Sequence, residues 1–277
     1  MDVRVTTDPQ AFEQTVFPFL QQDPVLHTII MSNVHERANG TARSEDEPSY
    51  FVSVHAPDVV GVAMRTPGFG VYVGALREEL AEPIAEAYAD VLPELKGVAG
   101  DRPAAFRFGR RWCELRGGMA TERRGTRLHK LIELTPLAAE GDPRPMRADD
   151  VELVAGWADG FAAEVADVVA TDNHAWAERH LADRTLWIWE AGGVPVTMVG
   201  YHLPLYGVSR VGPVYTPPEH RRHGYAGALT SHVTAMILAD GNQACLYTDL
   251  ANPTSNKIYH QAGYRPVADF VDVEFTA

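Results

Sequence analysis

Only two of the 277 residues are cysteine, Cys113 and Cys245, and no Cys-x-x-Cys spacing joins them. That leaves no disulfide framework and no thiolate metal site to read. Two small buried thiols in a reducing, cytoplasmic compartment are expected instead. Basic residues are also scarce, 24 Lys and Arg against 37 Asp and Glu, for a net charge of −13. Such a chain repels nucleic acid unless it hides a local basic patch, so no nucleic-acid partner is expected. Long apolar runs are missing too. None nears the roughly 18 residues of a membrane span, and Met1-Asp2-Val3-Arg4 leads into no apolar core. Neither membrane insertion nor a secretory leader is expected. His35-Glu36 has no second histidine at zinc spacing, and the eleven histidines form no ligand cluster, so no metal is expected. There is no Gly-x-Ser-x-Gly elbow.

What remains is a globular composition, 45% hydrophobic and 22% charged, long enough for one large domain or two ordinary ones. The alternation Asp2–Thr6 predicts a strand, and Asp8-Pro9 a capped helix to about Leu20. Asp23-Pro24 predicts a second helix, and 39–48 a loop. Tyr50–His55, Val59–Met64 and Phe69–Val73 read as three strands. A helix at Glu78–Leu92, a short strand ending near Ala99-Gly100, a helix at Arg102–Leu115 and one or two strands over Met119–Leu134 follow. Pro136–Pro145, with three prolines and Gly141, reads as a linker.

Then the order recurs. Met146-Arg147 is the remnant of a first strand, and Asp149-Asp150 opens a helix to about Val168. A short helix, Asn173–Leu181, precedes strands at Leu186–Glu190, Val194–Tyr201 and Val208–Tyr215. A helix, a strand at Ala244–Leu250, a helix at Pro253–Ala262 and a strand at Val267–Phe275 complete it. Two halves with one element order imply a duplicated α/β domain.

The chemistry concentrates in Val211–Ala226: an apolar strand, a proline-stiffened turn, then a basic, glycine-bearing loop opening an amphipathic helix. Backbone N–H groups and two arginines at a helix N-terminus suit an anion, above all a pyrophosphate. Gly224 lets the backbone approach a ligand. The loop is neither a P-loop nor a dinucleotide fingerprint, lacking Gly-Lys-Ser/Thr and two of three glycines.

Arg221-Arg222-His223-Gly224-Tyr225-Ala226 resembles the Arg/Gln-x-x-Gly-x-Gly/Ala motif of the GNAT superfamily of N-acetyltransferases. Val214 to Glu219 resembles that family's central strand, and Thr248 to Tyr259, ending Ala262-Gly263-Tyr264, its second signature. The likeness covers roughly Leu186–Phe275. It implies two GNAT-like lobes, 1–138 and 144–277, each a mixed, mostly antiparallel twisted sheet flanked by helices. The second lobe would be the acetyltransferase, moving acetyl from acetyl-CoA to a primary amine of a small molecule or peptide by direct attack in a ternary complex.

The resemblance also implies roles. Val214, Tyr215 and Thr216 would meet the pantetheine arm. Arg221, Arg222, His223, Gly224, Tyr225, Ala226 and Gly227 would cradle the pyrophosphate. Asn252, Ser255 and Asn256 would touch the cofactor, and Tyr259 would protonate the leaving thiolate. On their own terms, Asn252-Pro253 is a helix cap with a first-turn proline. Ser255, Asn256 and Tyr259 are expected on one side of a short helix, with Ile258 and Ala262 on the buried side, although a tyrosine on a helix beside a sheet usually packs. Gly212-Pro213 suits a bulge.

A base for the ammonium is sought among His202, Glu190, Asp249 or water. Trp157, Phe161 and Glu164 either line the acceptor pocket or simply pack. In the first lobe Gly74-Ala75-Leu76-Arg77-Glu78-Glu79 stands where the cradle would be, and its glutamates would repel a pyrophosphate, so that lobe has lost cofactor binding. A non-catalytic acyl-CoA-binding regulatory module is the alternative reading. An aminoacyl-tRNA-dependent transferase fits the acidity less well. The chain is expected to be a monomer or homodimer.

Overall fold

A computed structural model describes residues 1–42, 47–165 and 172–276. Among them the doubled order is present: β1 (Asp2–Thr6), α1 (Pro9–Leu20), α2 (Thr28–Ala38), β2 (Tyr50–His55), β3 (Val59–Arg65), β4 (Val71–Gly74), α3 (Ala81–Val91), β5 (Gly97–Asp101), α4 (Arg102–Arg116) and β6 (Met119–Leu131). The second run is β7 (Asp142–Pro145), α5 (Val151–Glu164), α6 (Asn173–Asp183), β8 (Leu186–Ala191), β9 (Val194–Tyr201), β10 (Val208–Tyr215), α7 (Tyr225–Ala239), β11 (Gln243–Asp249), α8 (Pro253–Gln261) and β12 (Tyr264–Thr276). Among the described residues no helix is long and apolar enough to cross a membrane. No group of three metal-ligating side chains forms there either. The fold is α/β, with mixed, mostly antiparallel sheet flanked by helices.

The cap expected at Asp8 is made, an unexpected one forms at Asp101, and Asp150 accepts from the Arg147 amide instead of capping α5. The Asp8 carboxylate accepts from the Gln10 and Ala11 amides, and Asp101 from Ala104. The second helix begins at Thr28 rather than at Pro24, because Asp23 is spent on a turn, accepting from the Leu26 amide. The predicted extension of α5 to Val168 lies partly outside the described residues.

Two compact units emerge, and they divide the chain differently from the sequence halves 1–138 and 144–277. Unit 1 holds Met1–Leu128, Thr248–Ala251 and Pro266–Ala277; unit 2 holds His129–Tyr247 and Asn252–Arg265. The last strand is the reason. Phe270 to Glu274 of β12 pair antiparallel with Asp101 to Gly97 of β5, inside unit 1. Conversely, Leu131 at the end of β6 belongs to unit 2, where its carbonyl accepts from the Gln243 amide nitrogen. Hydrophobic periodicity reports which face of a strand is buried, not which neighbour it pairs with.

In unit 1 the strands run β1-β2-β3-β4-β5-β12-β6. Helices α3 and α4 pack Tyr88, Phe108 and Trp112 into a core with Val52, Val98 and Val273. The Tyr88 hydroxyl donates to the Tyr50 carbonyl at 3.0 Å. The parallel β4–β5 ladder continues to Gly74–Gly100, so the two strands stay together. Glu78 and Glu82 bind Arg107, and Glu82 also binds Arg110. Of the two glutamates at the place of a cradle, Glu78 is thus paired with α4, whereas Glu79 pairs with Arg77.

In unit 2 the order is β11-β10-β9-β8-β7. One face carries α7 and α8 over Val199, Val211 and Leu246. The other carries α5 and α6 over Ile188, Met198 and Tyr215. The predicted strand remnant at Met146-Arg147 is corrected: the strand is Asp142–Pro145, paired with β8 from Glu190 to Trp187. Its two prolines read as linker, yet an edge strand tolerates proline because one side of its ladder needs no donor. The rest of the expected linker is not loose. Leu137 donates its amide to Ser231 Oγ at 3.0 Å, and Leu137 and Ala139 pack on the core beside α7.

Arg144 of β7 bridges Asp150, at 2.7 Å, and Glu190, at 2.5 Å. Burial pushes the Asp150 carboxyl up. Hydrogen bonds from Arg144 and the Arg147 amide outweigh it and hold the carboxylate below its ordinary 3.8. Arg144→Ala is expected to cost about 3 kcal/mol in urea unfolding, because it strands a buried carboxylate. A depressed carboxylate stabilises above its unfolded pKa, and that stability is lost as pH falls through the folded one. Below about pH 4 the parent should therefore lose stability more steeply than the variant.

Candidate active site

The site in unit 2 begins where two parallel strands stop pairing. The β10–β11 ladder runs from Val208–Gln243 to Val211–Leu246 and ends there. Strand β10 continues to Tyr215 along β9 only. Between Val211, opposite Tyr201, and Val214, opposite Val199, β10 has one residue too many, a bulge at Gly212-Pro213. The Gly212–Pro213 peptide is cis. A Cβ built on Gly212 would meet nothing within 4 Å, so the bulge faces open space. The β11-facing edge of Val214 and Tyr215 is left without a ladder from β11, free to pair with an extended ligand.

Beyond β10 the chain turns through Pro218–His220 and reaches the basic loop. Arg221 is extended, Arg222 has φ +71°, and Gly224 has φ +84° as the residue before α7. A left-handed arginine costs about 1–3 kcal/mol, and such strain collects at ligand clamps. No side chain caps α7, so the first-turn amides of Tyr225, Ala226 and Gly227 keep their donors and the positive end of the helix dipole. Ala138 and Ala139 lie against Gly224, and Leu137 against Gly227. The stretch read as linker thus forms one wall of the loop.

Arg221 is not spare. Its Nε donates to the Thr216 carbonyl at 2.8 Å, its guanidinium meets the Glu164 carboxylate, and it lies 6.0 Å from the Tyr215 ring centre. Thr216 Oγ1 is 2.7 Å from Thr197 Oγ1, which also donates to the Tyr215 carbonyl. The ring of His223 stacks on Tyr225, with centroids 5.4 Å apart. Arg222 has no ion pair among the described residues and is exposed.

The second motif forms α8. The Asn252 side chain accepts from the Ser255 amide, and Asn256 donates back to the Asn252 carbonyl at 2.8 Å. Asn252 therefore caps the helix. The face of Tyr259 departs from expectation, while its packing role does not. The ring is not on the open face with Ser255 and Asn256 but in the core, 8% exposed, edge-on to Tyr264; Ile258 is only partly buried. On a nine-residue helix lying on a sheet, the larger apolar ring takes the deeper position. Tyr264 hydrogen-bonds Thr234 at 2.6 Å, whereas the Tyr259 hydroxyl has no protein partner among the described residues. Burial pushes the Tyr259 phenol above its ordinary value, so near neutrality it is a donor.

Each base candidate has other work. Arg210 donates to His202 Nε2 at 2.9 Å. That charge, and then burial, pushes the imidazole well below its ordinary value. Glu190 holds Arg144. Asp249 accepts from the Ala251 amide at 2.7 Å. Trp157 lies in the core and Phe161, partly buried, packs against it. Nothing in hydropathy distinguishes an engaged carboxylate from a free one. Only the fold brings Arg144 to Glu190 and Arg210 to His202.

Residues 192–271 match the family of FR47-like proteins. No curated protein matches the chain. Among solved structures, a GNAT-family acetyltransferase from Colwellia psychrerythraea aligns over 100% of both chains at 14% identity and TM-score 0.63. A GCN5-related N-acetyltransferase from Sphaerobacter thermophilus aligns over 99% of this chain and 95% of its own, at 13% identity and TM-score 0.61. A Drosophila protein aligns over 99% and 98%, at 13% identity and TM-score 0.66. The chain is thus a GNAT-fold protein along its whole length, and its FR47-like portion, residues 192–271, contains the complete β10–α7–β11–α8 site.

Proposed function

We propose that unit 2 is an acetyl-CoA-dependent N-acetyltransferase whose acceptor is a primary amine of a small molecule or peptide. The observation that carries this reading is the parting of β10 from β11 directly ahead of the uncapped N-terminus of α7. The first feature is a slot for an extended thioester arm. The second is a row of donors for its pyrophosphate. Acetyl-CoA supplies the activated acyl group.

The chain's own residues do the rest. The amides from Arg222 to Gly227 hold the anion, and the edge of Val214 to Thr216 aligns the arm. Tyr259 stands protonated to receive the departing thiolate. A free thiol has a pKa near ~8.5, so a positioned phenol suffices as donor. The acidic surface favours a cationic acceptor, and a monomer or homodimer in the cytoplasm suits the composition.

A thiol-release assay with acetyl-CoA over a panel of amines tests the reading; silence on every amine would sink it. The engagement of all three acid–base candidates favours, as second reading, an acyl-CoA-binding module without turnover. Acetyl-CoA binding with no thiol release would establish that module instead. Arg222→Ala should weaken acetyl-CoA binding roughly tenfold by calorimetry, the value of one charge-assisted hydrogen bond. Arg221→Ala should weaken it less, because Arg221 is already committed to Thr216 and Glu164. Equal affinity in both variants would remove the loop as cradle.

A further inference from the structure

The α5–α6 face of unit 2 carries an imidazole that no sequence motif marks. His180 stands in the last turn of α6. Its Nδ1 lies 2.7 Å from Thr185 Oγ1, and its ring packs edge-on to Trp176 with centroids 4.4 Å apart. These contacts fix the ring; in the tautomer that donates from Nδ1 to Thr185 Oγ1, the lone pair is on Nε2. Among the described residues the ring makes no other side-chain hydrogen bond.

The other side of the ring faces the bulge of β10. A methyl group placed on Gly200 would sit 3.4 Å from His180 Cε1 and 3.2 Å from both the Gly212 carbonyl oxygen and Pro213 Cδ. His180 and the bulge therefore both close on Gly200 of β9, where a side chain would crowd them, while the position beside Gly212 is open.

On the reading of unit 2 as an acetyltransferase, we infer that His180 is the acceptor-side base, taking through Nε2 the proton that the attacking amine sheds. The amine attacks as its free base. As the C–N bond forms, the nitrogen becomes cationic and one N–H breaks toward Nε2. The C–S bond then breaks, its electron pair leaves on sulfur, and the sulfur takes the Tyr259 proton. Imidazolium and phenolate return to their starting states by proton exchange with water.

Burial brings the imidazole down to about 4. The Thr185 backbone contact and Asp183 oppose that fall, and Arg179 adds to it. His202, capped by Arg210, is the neighbouring imidazole and is neutral too. A weak base suffices here, because the proton is drawn from a nitrogen acidified by its new bond to carbon rather than from free ammonium.

The test uses His180→Asn, whose amide nitrogen can keep the Thr185 contact but which lacks Nε2, and His180→Ala with added imidazole. The expected result for His180→Asn is a fall in kcat of about a hundredfold, with acetyl-CoA affinity unchanged by calorimetry. For His180→Ala it is recovery of thiol release that saturates with imidazole, which a merely structural role would not produce. An Asn variant with parental kcat, or an Ala variant that imidazole does not revive, overturns the role of His180 and leaves the acetyltransferase standing. A parent protein that binds acetyl-CoA and acetylates no amine overturns both.

Discussion

Gly263→Ala is expected to destabilise unit 2 by about 3 kcal/mol or more. The position has φ +103°, and an alanine Cβ would stand 1.8 Å from the Glu133 carbonyl oxygen. The obstruction is backbone, not the end of a flexible side chain. Relief would require moving the 132–135 segment, whose Ile132 amide donates to the Gly263 carbonyl and whose Thr135 amide donates to Ala262. Those bonds tie the chain that leaves β6 to the end of α8 and hold the wall beside the α7 N-terminus. Four of the five tryptophans, Trp157, Trp176, Trp187 and Trp189, lie in unit 2. Urea unfolding followed by tryptophan fluorescence therefore reads this unit preferentially. A midpoint equal to that of the parent would show that the segment yields without cost.

Tyr259→Phe should lower kcat by about a hundredfold, within the range for loss of a positioned proton donor. Stability should stay within about 0.5 kcal/mol, because the ring keeps its packing against Tyr264 and the hydroxyl gives up no protein partner. Acetyl-CoA affinity should not change. The phenol is pushed up by burial, so the parent should show no loss of this donor across the neutral range. Turnover unchanged in Tyr259→Phe would take the residue out of the reaction. Turnover lost together with acetyl-CoA binding would make it a packing residue.

Helices and strands were legible because each rests on local chemistry. Asp8, Asp101, Asp172 and Asn252 cap helices by reaching amides two or three residues ahead. The bulge was legible for the same reason, since Pro213 cannot donate to a ladder. Elements held by distant partners were misread. Proline-rich Asp142–Pro145 became a strand because β8 offers it an edge. Glu190 and His202 looked available because Arg144 and Arg210 are invisible beside them in one dimension. His180 was passed over because its worth depends on Gly200 and Gly212, 20 and 32 positions away in sequence.

The sequence by itself determined the doubled α/β order and the basic, glycine-bearing loop at the start of α7. Those follow from periodicity, caps and backbone freedom within a few residues. Only the tertiary structure decided that β10 leaves β11 after Val211 while β4 stays with β5 to Gly74, that Tyr259 is buried, and that β12 closes unit 1. Strand partners and the burial of a ring are set by long-range packing, where each contact is weak and the sum over the folded chain chooses among them.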